Sequence, residues 1–243
     1  MAVIRPFKAL RPISEVVTKV ASVPYDVVNT EEARTLAQNN PLSLLNCTRS
    51  EIHFPDTFDH YAKEVYQKAK EVLEEIKRNA PLMIDDEPHF YLYRLVMNGR
   101  AQTGIAATFS VDDYDNDVIK KHEKTRKEKE DDRTNHIVTT EAQTGPVFLT
   151  YKGVPSIDQV VEKITLKEKP LYDFTAADGI QHTVWILPAE FNQLFVDEMA
   201  KVNNFYIADG HHRAASASRA RKVKMEKNAE HTGDEEYNFF IAV

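Results

Sequence analysis

Two apolar runs, residues 89–97 and 102–110, flank the dipeptide Asn98-Gly99, and this pairing constrains the fold more than any other feature of the chain. Asn and Gly both accept the positive φ that a type I′ turn needs, and that turn matches the twist of two antiparallel strands. A second hairpin is expected at 171–175 and 182–187, joined through Asp178-Gly179. Helical patterns surround these hairpins. One starts at Asn29-Thr30-Glu31-Glu32, with Thr30 as its cap. A longer one spans about 58–78, with Tyr61, Val65, Val72, Leu73 and Ile76 at helical spacing and Asn79-Ala80-Pro81 as its stop. Ser156 should cap a helix that follows a strand at 145–151, residues 188–202 should be helical, and 42–47 reads as a strand. Hairpins mixed with crossover helices predict an α+β fold, a mixed sheet with surrounding helices, and not a doubly wound parallel one.

A length of 243 residues accommodates one large domain or two small ones. There is no apolar run long enough for a transmembrane helix, and the N-terminal residues lack the apolar stretch of a signal peptide. Cys47 is the single cysteine, so no intrachain disulfide can form, which points to a reducing cytoplasm. A net charge of −7 argues against non-specific nucleic-acid binding, which normally needs a basic face. The chain's last residues, Tyr237-Asn238-Phe239-Phe240-Ile241-Ala242-Val243, read as a buried strand. An N-terminal piece of a longer protein is expected on that ground, with a strand closing a sheet as the alternative.

The chemistry concentrates in Phe205-Tyr206-Ile207-Ala208-Asp209-Gly210-His211-His212-Arg213. A short apolar strand breaks at Asp209-Gly210 and passes at once into an Ala-rich helix. Unpaired N–H groups and the dipole at a helix N-terminus attract phosphate, and Arg213 adds a fork suited to phosphate oxygens. The plainer alternative is a turn with an N-cap and a solvated Arg213. Successive helix residues point about 100° apart, so His211 and His212 are poorly placed to chelate one ion together.

A second segment, 119–136, is the most charged in the chain. As a continuous helix it would place His122, Arg126, Glu130 and Arg133 near one face, with Glu123, Lys127 and Asp131 beside them. A carboxylate flanked by His and Arg is a reasonable general base, and basic residues there suit polyphosphate. The alternative is a solvated helix laced with i,i+4 pairs such as Glu123–Lys127.

These pieces, together with Ile4-Arg5-Pro6-Phe7-Lys8-Ala9-Leu10-Arg11-Pro12, Val23-Pro24-Tyr25-Asp26-Val27, Lys121-His122-Glu123-Lys124-Thr125 and Gly145-Pro146-Val147-Phe148-Leu149, give the chain a resemblance to a bacterial family known as domain of unknown function number 1015. That family looks similar to free serine kinases of the ParB/sulfiredoxin-like superfamily. The resemblance implies a ParB/sulfiredoxin-like nucleotide-binding portion at 113–243, behind an N-terminal portion at 1–112 that the compact kinases lack. It implies phosphate binding by Gly210, His211, His212 and Arg213, helped by His122 and Arg126. It further implies a catalytic role for Glu123, Asp209 and His211, with Asp209 on Mg²⁺ and Glu123 taking the proton from a substrate hydroxyl.

The expected function is transfer of phosphate from ADP or ATP, with Mg²⁺, to a small hydroxylated molecule such as free serine. The alternatives are a non-catalytic nucleotide-binding module and, disfavoured by charge, nucleic-acid binding. Tyr25 and Asp26 read more readily as a capping turn than as site residues. Trp185 and Cys47 read as core.

Overall fold

The computed structural model describes residues 2–80 and 82–243. Pro81, the expected helix stop, lies outside them. The strands are β1 (Ile4–Arg5), β2 (Leu10–Pro12), β3 (Leu82–Ile84), β4 (Tyr91–Met97), β5 (Arg100–Ser110), β6 (Ile119–Lys120), β7 (Phe148–Thr150), β8 (Tyr172–Thr175), β9 (Gln181–Ile186), β10 (Phe205–Asp209) and β11 (Phe239–Ala242). The helices are α1 (Val17–Val20), α2 (Thr30–Ala37), α3 (Leu45–Thr48), α4 (Lys63–Asn79), α5 (Val111–Asp115), α6 (Lys127–Thr140), α7 (Pro155–Lys167), α8 (Asn192–Ala200) and α9 (His211–Glu226). The architecture is mixed α+β with several sheets.

Both hairpins form. Asn98 and Gly99 sit at φ 52° and 77°, and Met97 pairs with Arg100 across the turn. Gly179 sits at φ 81°, and Asp178 Oδ1 accepts the N–H of Ile180 at 3.0 Å. The largest sheet runs β8-β9-β4-β5, and Thr108 of β5 is flanked by Arg5 of β1 and Ile241 of β11. Beyond β11 the hydrogen bonding continues: Val147 donates to Ile241 at 3.0 Å and accepts from Val243 at 2.8 Å. That parallel contact carries the ladder toward β7, which borders β10, which borders β6. The main core fills against these strands, with Phe90, Leu92, Phe195, Phe205 and Phe240 fully buried. Each such side chain contributes about 1.5–3 kcal/mol on burial. The core draws residues from both sides of position 112.

Several local expectations need correction. The cap of α2 is Asn29, one residue earlier than expected, in a capping box with Glu32. The start of α4 is Lys63, because Asp59 Oδ1 instead accepts the Tyr61 N–H at 2.9 Å in a turn. Val154 stands at the cap of α7 and Pro155 opens the helix, so Ser156 lies inside it. Residues 42–47 form no strand: α3 occupies 45–48, and Asn46 and Thr48 spend their side chains on nearby carbonyls, those of Asn40, Ser43 and Leu44. Such local side-chain bonds favour turns and short helices over a ladder. The helix α6 begins only at Lys127, so His122, Glu123 and Arg126 precede it and share no helical face. Lys127 pairs with Asp131 at 2.7 Å, and Glu123 instead faces His211, so the Glu123–Lys127 pair of the alternative solvated-helix reading is replaced.

Trp185 and Cys47 are core residues, and burial pushes the Cys47 thiol up to about 12. His136 of α6 is buried with Nε2 3.1 Å from the Cys47 carbonyl, and burial followed by the charge of Arg133 lowers it from 6.5 to about 4. The unfolded chain therefore takes a proton near 6.5 that the folded chain refuses until about 4. Stability is full above the unfolded value and declines as pH falls, by roughly 3 kcal/mol across that window. Urea titrations at pH 7 and pH 4.5 should show this loss in the wild type and a smaller one in His136→Gln. An equal loss in both would assign the acid sensitivity elsewhere.

Candidate functional site

Three backbone segments reach one edge of the β7-β10-β6 sheet because of how its strands run. β6 and β10 are parallel, with Ile119 opposite Phe205, so the loops leaving both emerge at the same end. Those loops are 121–126 and the Asp209-Gly210 turn. β7 is antiparallel to β10, with Phe148 opposite Asp209, so Gly145-Pro146 enters at that end too. The carboxyl ends of parallel strands are where open sheets commonly place ligands.

Gly210 stands at the cap of α9 at φ 91°, a left-handed conformation that glycine adopts freely. A Cβ there would also lie 3.1 Å from Cζ and Nε of Arg213, a tight contact with the guanidinium folded back over the turn. Ala214 makes the first helical bond, to the Gly210 carbonyl at 3.0 Å, which leaves the N–H groups of His211, His212 and Arg213 without helical acceptors. Small residues, Ala214, Ala215, Ser216, Ala217 and Ser218, are buried along α9 and let α6 approach closely. Ser216 Oγ donates to the Glu130 carbonyl at 3.2 Å across that contact.

The side chains of His122, Glu123, Asp209, His211, His212 and Arg213 gather here, and Arg126 arrives only through its backbone. His211 Nδ1 lies 3.2 Å from Glu123 Oε2, and the His122 ring stands edge-on to His211 with centroids 4.4 Å apart. His211 is 4% exposed, and its Nε2 is buried without a hydrogen-bond partner. Burial first, then the neighbouring His122, lowers the His211 pKa, so the ring is neutral at pH 7. His212 Nε2 accepts the backbone N–H of Arg126 at 3.1 Å, which puts its proton on Nδ1. The Arg126 side chain is exposed. Arg213 donates to the Asp209 carboxylate and to the Pro146 carbonyl, and lies 3.7 Å from Asp26 Oδ2. Its Nε is buried and has no acceptor among the described residues.

Tyr25 and Asp26 form the expected turn ahead of α2 and also reach this region. Asp26 reaches Arg213, and Tyr25 lies under the Arg133 guanidinium at 4.3 Å from the ring centroid. Their place in the Val23-Pro24-Tyr25-Asp26-Val27 motif was the available signal. A cavity of about 30 Å³, room for a water or two, lies among Tyr25, Arg133, Gly145 and Arg213. A cleft of about 460 Å³ opens along the outer side of α6, between Tyr61 and Tyr66 on one side and Lys127, Glu128 and Asp132 on the other. That volume lies in the range of small-molecule sites.

Among the described residues no three His, Cys, Asp or Glu side chains form a metal-holding group. Asp209 uses Oδ2 on Arg213 and keeps Oδ1. One carboxylate with phosphates and waters is a usual Mg²⁺ environment, so Asp209 fits that ion as part of a nucleotide complex. Among the described residues no helix is long and apolar enough to cross a membrane. The family described as Protein of unknown function (DUF1015) matches residues 4–243, so the chain belongs to it. No curated protein and no solved structure matches the chain significantly.

Proposed function

We propose that this member of the DUF1015 family is a cytoplasmic nucleotide-dependent phosphotransferase, using ADP or ATP to phosphorylate a small hydroxylated molecule such as free serine. Residues 113–243 carry the nucleotide site and relate it to ParB/sulfiredoxin-like kinases, while 1–112 supply Tyr25 and Asp26 at its rim. The observation that carries the reading is the open N-terminus of α9: three N–H donors and the Nε of Arg213, without partners among the described residues, face the phosphates, while the unpartnered Nε2 of His211 is left for the acceptor hydroxyl. Phosphoryl transfer asks mainly for positioning and charge neutralisation, and these groups supply both.

Terminal phosphate oxygens would take the N–H groups of residues 211–213 and the Arg213 fork, with His212, His122 and Arg126 around them. Asp209 would hold Mg²⁺, which neutralises charge on the transferred group. The Glu123–His211 pair would receive the hydroxyl proton. Phosphorus NMR of the chain incubated with ADP or ATP, Mg²⁺ and hydroxylated acceptors, serine first, should show a new phosphomonoester. Nucleotide binding without transfer to any acceptor would instead make the protein a nucleotide-sensing module.

A further inference from the structure

We propose that the proton acceptor of this site is Nε2 of His211, and that Glu123 is the group that positions it. This rests on the phosphotransferase reading. His211 Nδ1 and Glu123 Oε2 are 3.2 Å apart, and a carboxylate offers only lone pairs. Two facing lone pairs would repel, so Nδ1 carries the hydrogen and donates it to Glu123. The tautomer then leaves Nε2 as a bare acceptor. That atom is buried and meets no donor among the described residues, an arrangement that costs free energy and persists where a ligand group uses it.

Glu123 is the poorer candidate. Its side chain is 67% exposed, and the oxygen facing the site is occupied by His211. The relation of the pair is that of an orienting carboxylate and an imidazole base. His122, edge-on at 4.4 Å, is carried with Glu123 on the loop 121–126, which lies outside helix and strand. A substrate hydroxyl reaches Nε2 as that loop yields.

In the step, the substrate O–H bond breaks and its proton passes to Nε2. The oxygen forms a bond to the terminal phosphorus of the nucleotide. The P–O bond to the preceding phosphate breaks, and its electron pair leaves with ADP when ATP is the donor, or with AMP when ADP is. Nε2 then returns its proton to water.

The test compares His211→Asn, Glu123→Ala and Glu123→Gln in transfer from ATP or ADP with Mg²⁺ to L-serine or to water. His211→Asn and Glu123→Ala should lose about 10²–10⁴-fold in kcat with nucleotide Kd unchanged, the range for a lost acid–base group. Glu123→Gln can turn its amide N–H toward Nδ1 and move the imidazole hydrogen to Nε2, so it should lose about as much as Glu123→Ala. A His211→Asn variant within about tenfold of the wild type, beside a deep loss in Glu123→Ala, would make Glu123 itself the base and overturn the proposal alone. Nitrogen-15 NMR at neutral pH should find His211 protonated at Nδ1 and bare at Nε2, and the opposite tautomer would also overturn it. A wild-type chain that binds no nucleotide, or binds it and transfers to neither serine nor water, would remove the phosphotransferase reading along with this one.

Discussion

Asp85→Ala is expected to lower the unfolding free energy by about 3–5 kcal/mol, read as a shifted urea midpoint at unchanged slope. Asp85 lies just past β3, with its side chain only 6% exposed, and the facing Arg11 of β2 is 15% exposed. Arg11 Nε donates to both carboxylate oxygens, at 2.8 and 3.0 Å, and Nη1 donates to the Tyr172 hydroxyl at 3.2 Å. Tyr91 donates to Asp85, and Tyr172 donates to the Pro12 carbonyl. The network ties the β2–β3 pair to β4 and β8. Burial would raise the Asp85 pKa, but the bonds from Arg11 and Tyr91 prevail and hold it below the usual carboxylate range. Truncating Asp85 strands a buried guanidinium, and the loss follows from that uncompensated charge. Replacing both partners together, Arg11→Met with Asp85→Leu, should recover most of the stability. A cost below about 1 kcal/mol for Asp85→Ala would put this pair in the class of solvated surface bridges.

Arg213→Ala is expected to weaken ADP and ATP binding about 100-fold, close to 3 kcal/mol. Two effects add. The variant loses charge-assisted donors to phosphate, which are among the strongest hydrogen bonds available to a protein. It also releases Asp209 and Asp26, whose carboxylates Arg213 now neutralises, to repel the incoming anion. Arg213→Lys keeps the charge and loses the planar fork, so its affinity should fall between the two. The guanidinium is a surface cation in only a limited sense, since its side chain is 14% exposed. Arg213 contacts Asp209, Pro146 and Asp26 rather than a hydrophobic core, so the variant should remain folded.

The parts of the fold legible in the sequence were those with local signatures. Asn98-Gly99 and Asp178-Gly179 specify their turns through backbone conformation alone, and Phe205–Asp209 followed by Gly210 specifies a strand that must stop. The segment 121–126 was misread because its charges recur at helical spacing. Its conformation is set by two long-range events, the parallel pairing of Ile119 and Lys120 with β10 and the Glu123–His211 contact, together with a local bond from Thr125 to Glu130 in the first turn of α6. Residues 42–47 were misread because a short apolar run suits a strand or a buried helix equally, and packing against α4 decided it. At the site, the residues of the two motifs were legible as types. Their partners were not, because Asp26 and the Pro146 carbonyl reach Arg213 only through the tertiary fold. The tautomer of His211 was likewise hidden until Glu123 stood next to its ring.

Calorimetric titration of ADP and of ATP, each with Mg²⁺, into the wild type and Arg213→Ala tests the nucleotide site most directly. Binding by the wild type that is lost or weakened about 100-fold in the variant is the predicted result. Equal binding by both chains would place the phosphates away from the start of α9, and no binding by the wild type would contradict the nucleotide site itself.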